Sequence, residues 1–324
     1  MHGCLGEAVT PEAKCLRHAA PEVRNSYLTS LGGRNKSLSL RGVAVDQALA
    51  DAILQSPSFA EKRVDVYMSL AGAEVSGRLS FEGCTFAQGI DVTGAIIQET
   101  GSFQLRGCEL QSSLSTQSTF FNASPPNIAG CTFGGEVFLD YAHVEWTSIS
   151  FGTCTFKRKF EADGVVGALM LRRCQFDLDL FIRAADATVI ILDDCEVARE
   201  IDVAGTRCLA FRTPYLRALS AHQLGPLNAK NDVSLARARF GARIRLEVNA
   251  SNLDLRGAQF LEGGHVTAER AKIELAQLST ARSFRISASA GGSQPCCPWT
   301  ARRRCGEHEL CFGGYEAVLL LWLS

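Results

Sequence analysis

Along residues 69–208 the apolar positions fall into one phrase: apolar, any, apolar, any, any, small, any, bulky apolar. Leu79 and Phe81 lead in this way to Cys84 and Phe86, Phe103 and Leu105 to Cys108 and Leu110, and Ile149 and Phe151 to Cys154 and Phe156. The anchors Cys84, Cys108, Cys131, Cys154, Cys174 and Cys195 follow one another after 24, 23, 23, 20 and 21 residues. Midway runs a second series of small and larger residues: Ala73/Val75, Ala95/Ile97, Ser118/Phe120, Ala142/Val144, Gly164/Val166, Ala185/Ala187 and Thr206/Cys208. The unit is therefore about ten or eleven residues, and two units make one turn.

Alternation of this kind predicts strands, because side chains at i and i+2 share a face of extended backbone. One such strand cannot bury its apolar face alone, so successive turns must stack in register at about 4.8 Å. Stacking predicts two interior ladders: the thiols of Cys84, Cys108, Cys131, Cys154, Cys174 and Cys195, and the bulky side chains Phe86, Leu110, Phe133, Phe156 and Phe176.

Gly83-Cys84-Thr85-Phe86, Gly130-Cys131-Thr132-Phe133 and Gly257-Ala258-Gln259-Phe260 resemble the motif of pentapeptide-repeat proteins, in which a small residue lies two positions before leucine or phenylalanine. The resemblance spans roughly 69–278. It implies an all-β solenoid, a right-handed quadrilateral parallel β-helix with one turn per two units. The chain departs from the strict pattern where turns carry extra residues and where Asn122 to Ile128, with Ser124-Pro125-Pro126, breaks a turn.

Outside the repeat, residues 1–68 read as a helical cap and its approach to the solenoid. Pro21 opens a helix with Val23, Tyr27, Leu28 and Leu31 on one face. Ser37 to Val45 reads as a first degenerate turn, and Asp46 caps a second helix with Leu49, Ala52 and Ile53 inward, stopped at Ser56-Pro57. A cap is needed because a bare β-helix end exposes unpaired backbone and an apolar interior. The β-helix is expected over 69–208, a loop excursion over 209–232 around Thr213-Pro214 and Gly225-Pro226, a continuation over 233–282, and an irregular Cys-rich tail over 283–324. In the continuation Ala238, Asn249, Ala258 and Ala271 take the small positions, and Asn249 is expected to bond to stacked backbone. A last turn near Leu278 without an evident cap offers an edge for a homodimer.

The composition, 46% hydrophobic and 21% charged with net charge −1, suits one large core and argues against a general polyanion binder. No run of 18 apolar residues is present, and the first residues lack the charged lead and apolar core of a secretory signal, so a cytoplasmic location is expected, with peripheral membrane contact as its variant. The cysteines alternate with alanine, serine and glycine at equivalent positions, which marks them as packing residues rather than ligands or redox centres. In the tail Cys305, His308 and Cys311, with Cys296 or Cys297, are weak candidates for a metal site; the spacing fits no known zinc module. His143, within the repeat, is expected on the surface.

No dinucleotide, phosphate-loop, nucleophile-elbow or HExxH motif occurs, so the reading leans away from an enzyme and names no catalytic residue and no cofactor. Some bacterial relatives of this repeat type carry the label of membrane-associated oxidoreductase, and others resemble duplex DNA and occupy a topoisomerase. No flavin motif supports the first, and Lys157-Arg158-Lys159 and Arg172-Arg173 interrupt the acidic face that the second requires. The expected function is a non-enzymatic β-helical scaffold or protein-binding module with an unknown protein partner and no nucleic acid. A membrane-peripheral protein is the alternative, and a DNA mimic comes third.

Overall fold

A computed structural model describes residues 14–31, 37–122, 126–221, 223–269, 271–280, 284–289, 309–310 and 317–321. They form a parallel β-solenoid of about ten turns, with short helices before it. By its internal contacts the chain divides into two units, residues 1–167 and 168–324.

In the first unit a coil carries four short strands, as in Thr85–Phe86, Ile90–Asp91, Ile96–Ile97 and Ser102–Arg106, and from His143–Gly152 on the last two merge into one. Neighbouring coils pair in parallel and in register, so that Thr85, Glu109, Thr132 and Thr155 form one rung series and Ile90, Leu114, Val137 and Phe160 another. Backbone donors of one coil reach carbonyls of the next, as Thr132 N does to Cys108 O at 2.9 Å. The strands are too short to hold a sheet by themselves. What they enclose decides the matter: Phe86, Leu110, Phe133 and Phe156 are fully buried, and the rings of Phe133 and Phe156 stack at 4.9 Å and 4°.

The residue just before each small interior position turns the corner with positive φ. Gly94 (65°) does so before Ala95, and the turn closes with Ala95 N donating to Val92 O at 3.0 Å. That is the geometry of a type II turn, which favours glycine at its third position. At equivalent corners the chain also places Ser118 (53°) and Tyr141 (55°).

These corners correct the expected register at two places. Thr119 and Phe121 are buried while Ser118 turns the corner and Phe120 is 47% exposed, so the inward pair is 119/121, not 118/120. Likewise Gly164 turns the corner, Val165 is buried and Val166 faces out. The break expected at 122–128 is narrower: Asn127–Ala129 pairs in register on both sides and Ile128 is buried, while residues 123–125 lie outside the described set.

The helices are Pro21–Ser30 (α1), Gln47–Leu54 (α2) and Pro57–Ala60 (α3). Asp46 caps α2 as expected, its carboxylate accepting from Leu49 N at 2.9 Å. Leu49, Ala50 and Ile53 are its buried residues, with Ala52 half-exposed. The first coil is already present at Ser37–Ser39 and Ala44–Val45, which pair with Tyr67–Ser69 and Glu74–Val75. Phe59 of α3 is buried against Phe81, ring centres 5.5 Å apart, and so closes the aromatic column at this end.

In the second unit the rungs Gln175, Glu196, Arg217, Arg239, Gln259 and Ser279 pair in sequence, at steps of 21, 21, 22, 20 and 20 residues. Two expectations fail here. Residues 209–232 are not an excursion: Arg217–Ala218 and Gln223–Ser234 are strands paired with both neighbouring coils, and Phe211, Leu216, Ala218, Ala221, Leu224 and Leu227 fill the interior. From Gln223 on, one corner straightens into longer strands such as Ile244–Asn249 and Gly264–Glu269, which hid the period. On those strands Val248 and Ala250 point inward, so Asn249 lies outside and bonds to the next rung, its Nδ2 donating to Asn228 Oδ1 at 3.3 Å; Ala271 is likewise only half-buried.

The coil also outruns Leu278. Phe284–Ser289 pairs with Gly264–Glu269, and the rings of Phe284 and Phe260 lie 4.4 Å apart. Ala317–Leu321 then pairs antiparallel with Phe284–Ser289, and Glu309–Leu310 with Lys272–Glu274. The edge expected to be bare for a homodimer is therefore occupied along these strands.

Replacing Phe59 with alanine is expected to cost about 3 kcal/mol, the usual cost of emptying a buried aromatic site. It should also promote end-to-end association, measured by urea unfolding and by light scattering of the variant.

Candidate functional site

The six ladder cysteines are all buried and unbridged. Each thiol donates to the carbonyl two residues before it: Cys131 Sγ to Ala129 O at 3.4 Å and Cys174 Sγ to Arg172 O at 3.4 Å. Several also reach the coil before, as Cys108 Sγ does to Phe81 O at 3.4 Å and Cys195 Sγ to Leu171 O at 3.3 Å. A small, weakly polar side chain serves both needs, filling a narrow interior while donating to a carbonyl. Thr119 and Thr206 do the same on the opposite side, each hydroxyl donating at 2.7 Å to the preceding coil, at Val92 O and Ile182 O.

The neighbouring Cys108 thiol and burial push Cys131 up to about 12 and raise Cys84 as well. A thiolate in this apolar interior would be costly, so these thiols hold their protons. Burial alone pushes Cys208 up to about 11. Among the described residues no group of three or more His, Cys, Asp or Glu is placed to hold a metal ion. Cys296, Cys297, Cys305, His308 and Cys311 lie outside the described residues.

With the interior filled, the outward rungs carry the available chemistry. In the first unit Ile96, Phe120 and His143 are successive rungs, with Phe120 stacked on His143 at 4.8 Å and Tyr141 beside them 68% exposed. In the second unit a groove of about 400 Å³ is lined by Asp194, Tyr215, Arg217, Arg237, Arg239 and Gln259, among others. Arg217 and Arg239 are register partners on adjacent coils. Tyr215 and Arg237 hold the adjoining corner at φ 60° and 58°, with the Arg237 guanidinium 5.4 Å over the Tyr215 ring and donating to its hydroxyl.

Acidic neighbours balance this group only in part. Arg217 lies 3.8 Å from Glu196, a pair too exposed to be worth more than about 1 kcal/mol. Beside the groove Arg256 is held by Asp254 and Glu274, at 2.9 and 3.3 Å, and Asp254 is held below the usual carboxylate range despite partial burial, because Arg256 bonds to it. Arg239 has no acidic partner among the described residues. None of these arginines stood out in the sequence; the available signal was the 22-residue step from Tyr215 to Arg237 and from Arg217 to Arg239, visible only once the period is carried through 209–232.

No helix among the described residues is long and apolar enough to cross a membrane. Comparison with protein-family models, with curated proteins and with solved structures finds no match to this chain.

The ladder thiols are expected to resist a disulfide-exchange reagent in the native chain and to react on unfolding, read by absorbance. Because folding favours the neutral form of Cys208, its contribution to stability is full below 9.0 and is lost as pH rises through about 11. Melting temperature should therefore fall above pH 9, and less so in Cys208→Ala.

Proposed function

We propose that this chain is a non-enzymatic β-helical scaffold that binds a protein partner, of the pentapeptide-repeat kind. The observation behind this reading is the division of labour across the backbone. Inward residues are consumed by packing, while outward residues stand on a rigid lattice whose rungs repeat at about 4.8 Å. Such a lattice presents side chains in fixed rows, which is the surface that protein partners engage. The row through Tyr215, Arg217, Arg237 and Arg239 supports it further, since tyrosine and arginine are the residue types that most often anchor protein interfaces.

A second reading, peripheral contact with a membrane, has the row Ile96, Phe120 and His143 behind it, with Phe120 47% exposed. An exposed aromatic and aliphatic row can insert at a lipid interface.

Affinity capture from cell lysate with the full chain as bait separates the two. The scaffold reading expects a soluble protein retained by the native chain and absent from an unrelated bait of similar charge. Sedimentation of the chain with lipid vesicles, lost in Phe120→Ser, together with no retained protein, would overturn it in favour of the membrane.

A further inference from the structure

We propose that the groove around Arg239 in the second unit is the docking site for a short acidic segment of a partner protein, whose carboxylates are held by Arg217, Arg237 and Arg239. This rests on the scaffold reading and names the chemistry of its partner.

Three observations converge on the groove. The first is charge: the rung series runs Glu196, Arg217, Arg239, Gln259, so two guanidinium groups stand on adjacent coils with one carboxylate, on the far side of Arg217, to balance them. Like charges directly opposite one another across a strand pair are unfavourable, and an anion from outside removes the penalty. The second is preorganisation. Arg237 is fixed by the ring and hydroxyl of Tyr215, so little side-chain freedom remains to be lost when it takes a carboxylate. The third is the backbone: Tyr215 and Arg237 follow one another at a corner of positive φ, 60° and 58°, in a column that also holds Arg173, Asp194 and Gln277, and the corner aims both side chains outward beside the arginine rungs. Glycine, as at Gly257 (67°), fits that corner without strain, while a larger residue there costs on the order of 1 kcal/mol.

The length of the positive row selects the ligand. It spans two coils and is bounded by Asp194 and Glu196 on one side and by the neutral Gln259 and Gln277 on the other. A long phosphate backbone would run onto those acids. An extended peptide with carboxylates on alternate residues, about 6.7 Å apart, reaches both arginines and ends there, the long arginine side chains taking up the difference from the rung repeat of about 4.8 Å. Arginine suits this ligand because its planar fork pairs with a carboxylate through two parallel hydrogen bonds.

The test uses the full chain and a fluorescently labelled peptide with glutamate at alternate positions, followed by anisotropy at low salt. Binding that weakens at least about tenfold in Arg239→Glu, and not in Arg78→Glu on the other unit, is the expected result. Arg237→Gly should also weaken it while melting at the same temperature or higher, because glycine relieves the corner; this separates lost contact from lost fold. Failure of the peptide to bind, or equal binding by Arg239→Glu, overturns the site. Tighter Arg239-dependent binding of inorganic pyrophosphate or of a single-stranded oligonucleotide also overturns it, because the ligand would then be a phosphate. A lysate partner retained equally by Arg239→Glu retires the groove and leaves the scaffold reading standing, whereas Arg239-dependent peptide binding upholds the groove even where the lysate yields no partner.

Discussion

Everything in this molecule depends on coils stacking in register. A two-residue strand such as Thr85–Phe86 has no stability alone, and its apolar side chain is covered only when the next coil places Leu110 beside Phe86. Burial and backbone hydrogen bonding are thus not separate contributions here. The same displacement of one coil on another brings the carbonyl to the amide and the ring to the ring, so a register error would forfeit both at once.

That coupling explains which residues are tolerated where. Inside, the demand is for a small residue beside a large one, and cysteine meets it with the added ability to donate to the carbonyls of Phe81, Leu171 and others. At the corners the demand is for positive φ, met by glycine at several coils and by Thr153, Arg173, Asp194, Tyr215 and Arg237 elsewhere. On the outward rungs there is hardly any demand, and the side chains there are free to serve recognition.

The legibility of the sequence follows the same order. The ladders of Cys84 to Cys195 and Phe86 to Phe176 were readable because interior positions are restricted and their spacing repeats. The cap of α2 was readable because a carboxylate before an apolar helical run has one obvious use. The slip at Ser118 arose because Thr119 competes with it for the inward position and a corner that is not glycine leaves no mark; at Gly164 the corner glycine itself passes for the small inward residue, one position before the buried Val165. Residues 209–232 were misread because proline and glycine, which signal loops elsewhere, here sit in coils whose straightened corner changes the phrase. The arginine groove was invisible for a different reason: its members are 22 residues apart and meet only across coils, at positions where no pattern is enforced.

The unequal lengths of the coils carry a last implication. Within the first unit the steps are 24, 23 and 23 residues, and within the second they range from 20 to 22, yet the rung series through Thr85 to Thr155 and through Gln175 to Ser279 stays in register throughout. In the first unit the extra residues are taken up at one corner, between Ile97 and Ser102 and its equivalents, because the sides through Ile90 and Ile96 keep register too. The faces therefore work as a ruler, with gradations fixed by the backbone repeat while a single corner lengthens and shortens. Insertions that would scramble a loop-built surface leave this one's spacing untouched, so its pattern of side chains can be rewritten one mark at a time without refolding the rest.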